Sequence, residues 1–292
     1  MVTDRVILIS NGRMTVELTQ KPYSVEKIKG FDRLQVQIVT SQGFDQVGAS
    51  LLNDYILPRD MEISGQIYGD TTEKMQNLRD ELLSLFIPKT DITINHYYGG
   101  KNRLITARVE ESPEFGFSEV TRVQNYNVHL LAAEPYWRDV SETLIQMANI
   151  KGGFHFPLRI PVDRGIHFGV KSASLIANIH NRSPVKTGMK IVFVANGDVV
   201  NPQLFNVNTR EYIRLLCSME NGDQITIETG DNKTITRVKN GIAEDYMGKI
   251  DLSGGNTFLE LFPGDNLFRY LSDEGQDMLE IKIYYYNKYL GV

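Results

Sequence analysis

Five histidines, His96, His129, His155, His167 and His180, and one cysteine, Cys217, are the side chains with which this chain could ligate a transition metal or form a strong nucleophile. No two histidines stand four residues apart, the spacing by which a helix presents a pair to one zinc ion. All five fall in strand-like surroundings. A single cysteine excludes an intramolecular disulfide and a cysteine-based zinc site. Cys217 lies among Leu215, Leu216 and Met219, the setting of a packed and inert thiol. Glu110 and Glu111 are adjacent, and neighbours on a strand point to opposite faces, so they cannot form an acid–base pair alone. Gly99-Gly100-Lys101 has the composition of a phosphate loop. A strand follows it rather than a helix N-terminus, which makes it a hairpin turn. No Gly-x-Ser-x-Gly elbow occurs. No catalytic residue, metal ligand or cofactor is assigned, and the chain is expected not to be an enzyme.

The elements that would carry these residues are mostly strands. Arg5 to Ile9 is a short apolar run closed by the turn signal Asn11-Gly12 and followed by the alternating Met14, Val16 and Leu18. Leu34, Val36 and Ile38 alternate with Gln35, Gln37 and Val39, and Met61, Ile63, Gly65 and Ile67 form another strand. Residues 43–54 between them read as a long loop. The one convincing helix spans 71–87, with Met75, Leu78, Leu82 and Leu85 on one face. Asp70 is placed to cap it, with Glu73 three residues on, and Pro88 to stop it. Ile92 and Ile94, Leu104 to Glu111, and Phe115 through Phe117, Val120, Val123, Tyr126, Val128 and Leu130 continue the sheet. Pro135 ends this run, since proline cannot donate to a ladder.

With 292 residues, 41% hydrophobic and 23% charged, the composition is globular and the length suits two domains of roughly 100–200 residues. We divide the chain into a β domain with one helix (1–138), a connector (139–153) and a second domain (154–292). The second half reads as strands from Ala173 to the aromatic run Tyr284-Tyr285-Tyr286 and Tyr289, including one over Phe258, Leu259 and Leu261. Turn signals at Asn196-Gly197, Asn221-Gly222, Gly230-Asp231, Asn240-Gly241 and Gly254-Gly255-Asn256 punctuate it, the rhythm of a sandwich or jelly roll. Alternation along 284–286 would bury one tyrosine of the three. The net charge of -5 comes from interspersed acids and bases, with no basic stripe for gripping nucleic acid. No signal peptide and no apolar run long enough to span a membrane are expected.

The order of these features resembles the distal tail protein family of phages with long, non-contractile tails and of related prophages. The resemblance is carried by Ala133-Glu134-Pro135-Tyr136-Trp137 at the end of the first domain and by Asn201-Pro202-Gln203-Leu204-Phe205-Asn206 and Gly222-Asp223-Gln224-Ile225-Thr226-Ile227 in the second. Phe258-Leu259-Glu260-Leu261-Phe262-Pro263-Gly264-Asp265-Asn266 and the closing Tyr289-Leu290-Gly291-Val292 complete it. It implies a virion structural protein of the baseplate: a homo-hexameric ring at the tail tip, built by the first domains, with DNA leaving through the channel without specific binding. It also implies a galectin-like C-terminal sandwich projecting outward. The implied partners are the tail tube protein, the tail-associated hub protein and receptor-binding proteins. Synthesis and assembly would take place in the cytoplasm of the bacterial host, with no membrane contact. Pro135, Tyr136 and Trp137 would mark the domain junction. Exposed strand edges and loops of 1–137 would supply the ring interface. The alternative is a carbohydrate-binding sandwich that attaches the virion to cell-wall glycans, for which Ile179-His180-Asn181-Arg182 is the candidate strand. It lacks a stacking tryptophan, because Trp137 precedes the sandwich.

Overall fold

The computed structural model describes residues 5–116, 122–147, 149–152, 169–172, 176–239, 241–255 and 257–292. Expectations resting on Phe117, Val120, Gly153, Phe154, His155, His167, Ala173, Asn240 or Asn256 lie outside these residues. The chain is mainly β, with one α-helix among the described residues, and it divides into two compact units. The first is Met1–Val140 together with Lys288–Val292, and the second is Ser141–Asn287.

The first unit contains β1 (Val6–Ser10), β2 (Thr15–Glu17), β3 (Tyr23–Lys29), β4 (Val36–Ser41), β5 (Ser50–Ile56) and β6 (Arg59–Tyr68). Helix α1 (Thr72–Leu85) precedes β7 (Asp91–Tyr98), β8 (Lys101–Val109), β9 (Glu114–Phe115), β10 (Val123–Ala132) and β11 (Trp137–Asp139). Antiparallel pairing orders the main sheet β2–β1–β7–β8–β10–β6–β3. Strict alternation on β6 sends Met61, Ile63 and Ile67 into a core shared with Val128 and Leu130 of β10 and Ile92 and Ile94 of β7. The helix adds Leu82 and Leu85 to that core. The β7–β8 turn is Gly99-Gly100 with φ of 55° and 77°, a pair of left-handed residues that suits a two-residue hairpin.

The helix is shorter than the spacing predicts, and a different residue caps it. Thr71 is the N-cap, at φ -132° and ψ 161°, and its Oγ1 accepts the Lys74 N–H at 3.2 Å. Asp70 stands one residue too early for that geometry, and its carboxylate instead pairs with Lys74 Nζ at 2.9 Å. At the other end Phe86 leaves helical geometry before Pro88 is reached. Thr71→Ala is therefore expected to cost about 1 kcal/mol of stability, whereas Asp70→Ala leaves it unchanged. Urea unfolding followed by the fluorescence of Trp137, the only tryptophan, makes the comparison. That indole is buried in the core of this unit and reports on it.

The second unit begins with β12 (Thr143–Gln146), β13 (Asn149–Gly152), β14 (Gly169–Ser172), β15 (Ile176–Asn181), β16 (Lys190–Ala195), β17 (Val199–Val200) and β18 (Gln203–Asn206). It continues with β19 (Tyr212–Arg214), β20 (Ser218–Met219), β21 (Gln224–Glu228), β22 (Thr234–Lys239), β23 (Ile242–Asp245), β24 (Gly264–Leu271) and β25 (Leu279–Tyr285). A sheet ordered β12–β25–β16–β21–β22–β23 and another ordered β15–β24–β18–β19 form a sandwich. Both send side chains into one core: Ile191, Phe193, Ile225 and Ile281 from the first, and Ile179, Leu204, Phe268 and Tyr270 from the second.

Three expectations change. The segment 139–153 is not a free connector, because Thr143–Gln146 is an edge strand of the sandwich, with Thr143 opposite Tyr285. The boundary falls at Val140–Ser141, and the chain returns to the first unit at Lys288. There β26 (Lys288–Tyr289) pairs with β11, Trp137 opposite Tyr289. Phe258, Leu259 and Leu261 do not form a strand; Leu259 and Leu261 are buried from irregular chain, and Leu261 makes a single bridge to Thr187. Tyr285 is the buried member of the tyrosine run, as alternation requires.

Candidate assembly interface

The most conspicuous surface of the first unit is the ribbon β4–β5. Its two strands pair only with each other among the described residues. Val36 faces Ile56 and Gln37 faces Tyr55, and a bulge between Val39 and Thr40 shifts the register beyond. Every residue of β5 is exposed, and Ile38, Leu51 and Leu52 are each more than 60% exposed. At the tip, Phe44 and Val47 are fully exposed. The tip is nevertheless ordered by local bonds: Gln46 N–H donates to Gly43 O at 3.2 Å, and Gly43 N–H donates to Gln46 Oε1 at 2.9 Å. Between Leu34 and Leu57 the only charges are Asp45 and Asp54. A two-stranded ribbon is marginal in water alone, and so large an exposed apolar surface on it is of the kind that marks an interaction site.

The base of the ribbon is fixed by a buried guanidinium. Arg59, the first residue of β6, is 2% exposed. Its Nη1 donates to the carbonyls of Gly30, Phe31 and Arg33 at 2.6, 2.9 and 3.3 Å. Its Nε donates to Pro135 O at 2.7 Å and its Nη2 to Leu290 O at 2.6 Å. Burial lowers its pKa to about 10, against a smaller opposing pull from Asp32, so it stays charged at neutral pH. Gly30 turns here at φ 76°, and a Cβ on it would come within 1.9 Å of Asp60 O, so only glycine fits. Trp137 closes the arrangement: its Nε1 donates to Phe31 O at 2.9 Å, and its ring lies 5.3 Å from that of Phe31. Tyr136 lies beneath Lys288, whose Nζ is 2.8 Å from Glu134 Oε1.

The three described histidines are not gathered. His96 is buried beside Phe31 and Trp137. His129 lies on β10, 3.0 Å from Asn127 Nδ2. His180 is exposed, with Nδ1 2.9 Å from Asp265 Oδ1. In the candidate glycan strand Ile179 belongs to the core, and Asn181 is buried and donates to Leu261 O at 3.0 Å, which leaves His180 and Arg182 facing outward. Cys217 is half-buried, and burial raises its pKa above the ordinary thiol value. Glu110 and Glu111 are exposed just beyond β8. No group of three or more histidine, cysteine or acidic side chains is placed to hold a metal among the described residues.

His96 gives a pH prediction. Burial, then the charge of Arg5, lowers its pKa from 6.5 to about 4, with Asp32 opposing and Arg103 reinforcing. The unfolded chain takes up this proton below pH 6.5 and the folded unit refuses it until about pH 4. Its contribution to stability is therefore full above the unfolded pKa and lost as pH falls through that window. The urea midpoint reported by Trp137 is expected to drop more steeply between pH 7 and 4 in the wild type than in His96→Phe. Carboxylates titrate in both proteins, so the difference isolates the imidazole.

Two family descriptions match the sequence. Residues 15–132 match the phage tail protein RIFT-related domain, and residues 182–289 match the siphovirus-type tail component, C-terminal domain. The chain belongs to the distal tail protein family of siphophages. Among solved structures, this distal tail protein is similar to SPP1 Dit (gp 19.1), described as a paradigm of the hub adsorption apparatus in phages infecting Gram-positive bacteria. The TM-score is 0.68 at 12% identity, over 97% of this chain and 99% of that one. It is also similar to a chain of the phage p2 baseplate in its activated conformation with strontium, at TM-score 0.55 and 11% identity over 99% of both chains. No curated protein matches it by sequence. The chain is a structural component of the phage tail.

Of the sequence-level candidates, Pro135 and Trp137 meet at the Arg59 clamp of the distal tail protein, through the Pro135 carbonyl and the Phe31 carbonyl that Trp137 shares with Arg59. Arg59 itself was missed, and one signal pointed to it: a lone arginine at an inward position of an otherwise apolar alternation, Arg59-x-Met61-x-Ile63. The ribbon was half missed, because residues 43–54 read as a loop.

Proposed function

We propose that the distal tail protein closes into a homo-hexameric ring at the tip of the tail, with the first unit surrounding a channel and the second unit facing outward. The observation that carries this reading is the exposed apolar ribbon β4–β5, which needs a protein surface to cover it. A ribbon laid on the next copy makes a heterologous contact, and such contacts close into rings when the rotation is right. Arg59, with Pro135, Tyr136 and Trp137, sets the base from which the ribbon leaves, and this motif serves as the junction element between ring and sandwich. The ring joins the tail tube protein to the tail-associated hub protein, and the sandwich receives receptor-binding proteins, in keeping with the hub adsorption role named for SPP1 Dit. DNA passes the channel without specific binding, which the net charge of -5 favours. Assembly takes place in the host cytoplasm.

Immunogold labelling of intact virions tests the location. Gold at the tail end remote from the capsid is the expected result. Label along the whole tube or on the capsid would contradict it.

A further inference from the structure

The turn between β7 and β8 borders a cavity away from the β4–β5 ribbon. A cavity of about 290 Å³ is lined there by His96, Tyr98, Gly99, Lys101, Arg103 and Val292. The register brings the cationic side chains together: His96 faces Arg103 and Tyr98 faces Lys101, on the same side of the β7–β8 hairpin. Arg5 lies across Tyr98, its guanidinium carbon 4.9 Å from the ring centroid. His96 is 2% exposed, and its Nε2 is buried with no hydrogen-bond partner among the described residues. The carboxylate that acts on this group is Asp32, which accepts the Val292 N–H at 3.3 Å. Lys101 and Arg103 in the lining, with Arg5 beside Tyr98, outnumber the Asp32 carboxylate among the side chains, and Arg103 also donates to Gly291 O and lies over the Tyr289 ring.

Buried polar atoms without partners are uncommon and costly. One of them, His96 Nε2, in the lining of a cavity rimmed by Lys101 and Arg103 points to a ligand that is anionic and accepts hydrogen bonds. At roughly 30 Å³ for each water, the cavity has room for a group of several heavy atoms. We propose that it binds an oxyanion group, a carboxylate or a phosphate, held by Lys101 and Arg103 at the rim and by Nε2 of His96 at the floor.

The test uses the full chain and follows the imidazole C–H resonance of His96 by NMR, assigned with His96→Phe. The resonance is titrated with pH in chloride, in inorganic phosphate and in N-acetylglutamate. A bound anion is expected to raise the His96 midpoint by about one pH unit over chloride, and to do so saturably. Lys101→Glu is expected to abolish the shift, and its exposed position makes it safe for folding. Lys249→Glu, exposed in the second unit, is expected to preserve it. Tighter binding of phosphate would identify a free phosphate group as the ligand, and tighter binding of N-acetylglutamate an acidic side chain of a partner. A midpoint unmoved by both anions, or a shift that survives Lys101→Glu, would overturn the proposal.

Discussion

Arg59→Leu is expected to lower the stability of the first unit by about 3–5 kcal/mol, the largest loss for any single substitution in it. The guanidinium is the donor for the carbonyls of Gly30, Phe31, Arg33, Pro135 and Leu290. Leucine fills some of the space and takes this donor from the Gly30, Arg33, Pro135 and Leu290 carbonyls, while Phe31 O keeps the Trp137 Nε1–H. Arg59→Lys is expected to recover only part of the loss, since an ammonium is a point charge with three donors and cannot span carbonyls arranged around a planar fork. Deleting Lys288–Val292 removes the Leu290 carbonyl, the β11–β26 pairing and the packing of Tyr289 and Val292 on the core. It is expected to cost about 2–4 kcal/mol, and less than additively with Arg59→Leu because the two share a bond. Urea midpoints from Trp137 fluorescence measure all three. A midpoint for Arg59→Leu equal to the wild type would show that the clamp is not structural.

Phe44→Asp with Val47→Asp is expected to weaken self-association roughly a thousandfold, about 4 kcal/mol, and to leave the folding of the protomer unchanged. Both side chains are fully exposed in the protomer, so burial within the chain gives them no role. Their only available contribution is to a contact with another molecule, and a buried carboxylate there would be strongly unfavourable. Sedimentation velocity gives the first quantity and Trp137 fluorescence the second. Unchanged association would remove the ribbon tip from the interface.

Local pattern explains which parts of this architecture can be read from the chain. The alternation on β6, the Gly99-Gly100 turn and the tyrosine run all act through neighbours, so their geometry follows from spacing. The ribbon hid because Leu51-Leu52-Asn53-Asp54-Tyr55-Ile56 does not alternate and the bulge at Val39/Thr40 breaks the period of its partner. Both strands of it are almost wholly exposed, so no inward face selects the apolar residues. The return strand β26 hid because it is two residues long and its pairing with β11 spans about half of the sequence. Distance in sequence also kept Arg59 from view, since its acceptors lie in three separate stretches of chain, 30–33, 135 and 290. At α1, Asp70 and Thr71 are both good caps, and one residue of register decided between them.

The ring is tested most directly by negative-stain electron microscopy of the purified full chain over a wide concentration range, with the Phe44→Asp, Val47→Asp variant in parallel. Six-fold rings with an open centre in the wild type, and single protomers in the variant, are the expected result. Wild-type protomers that remain single at the highest concentration, or rings that the variant forms equally well, would contradict a ring held together by the ribbon.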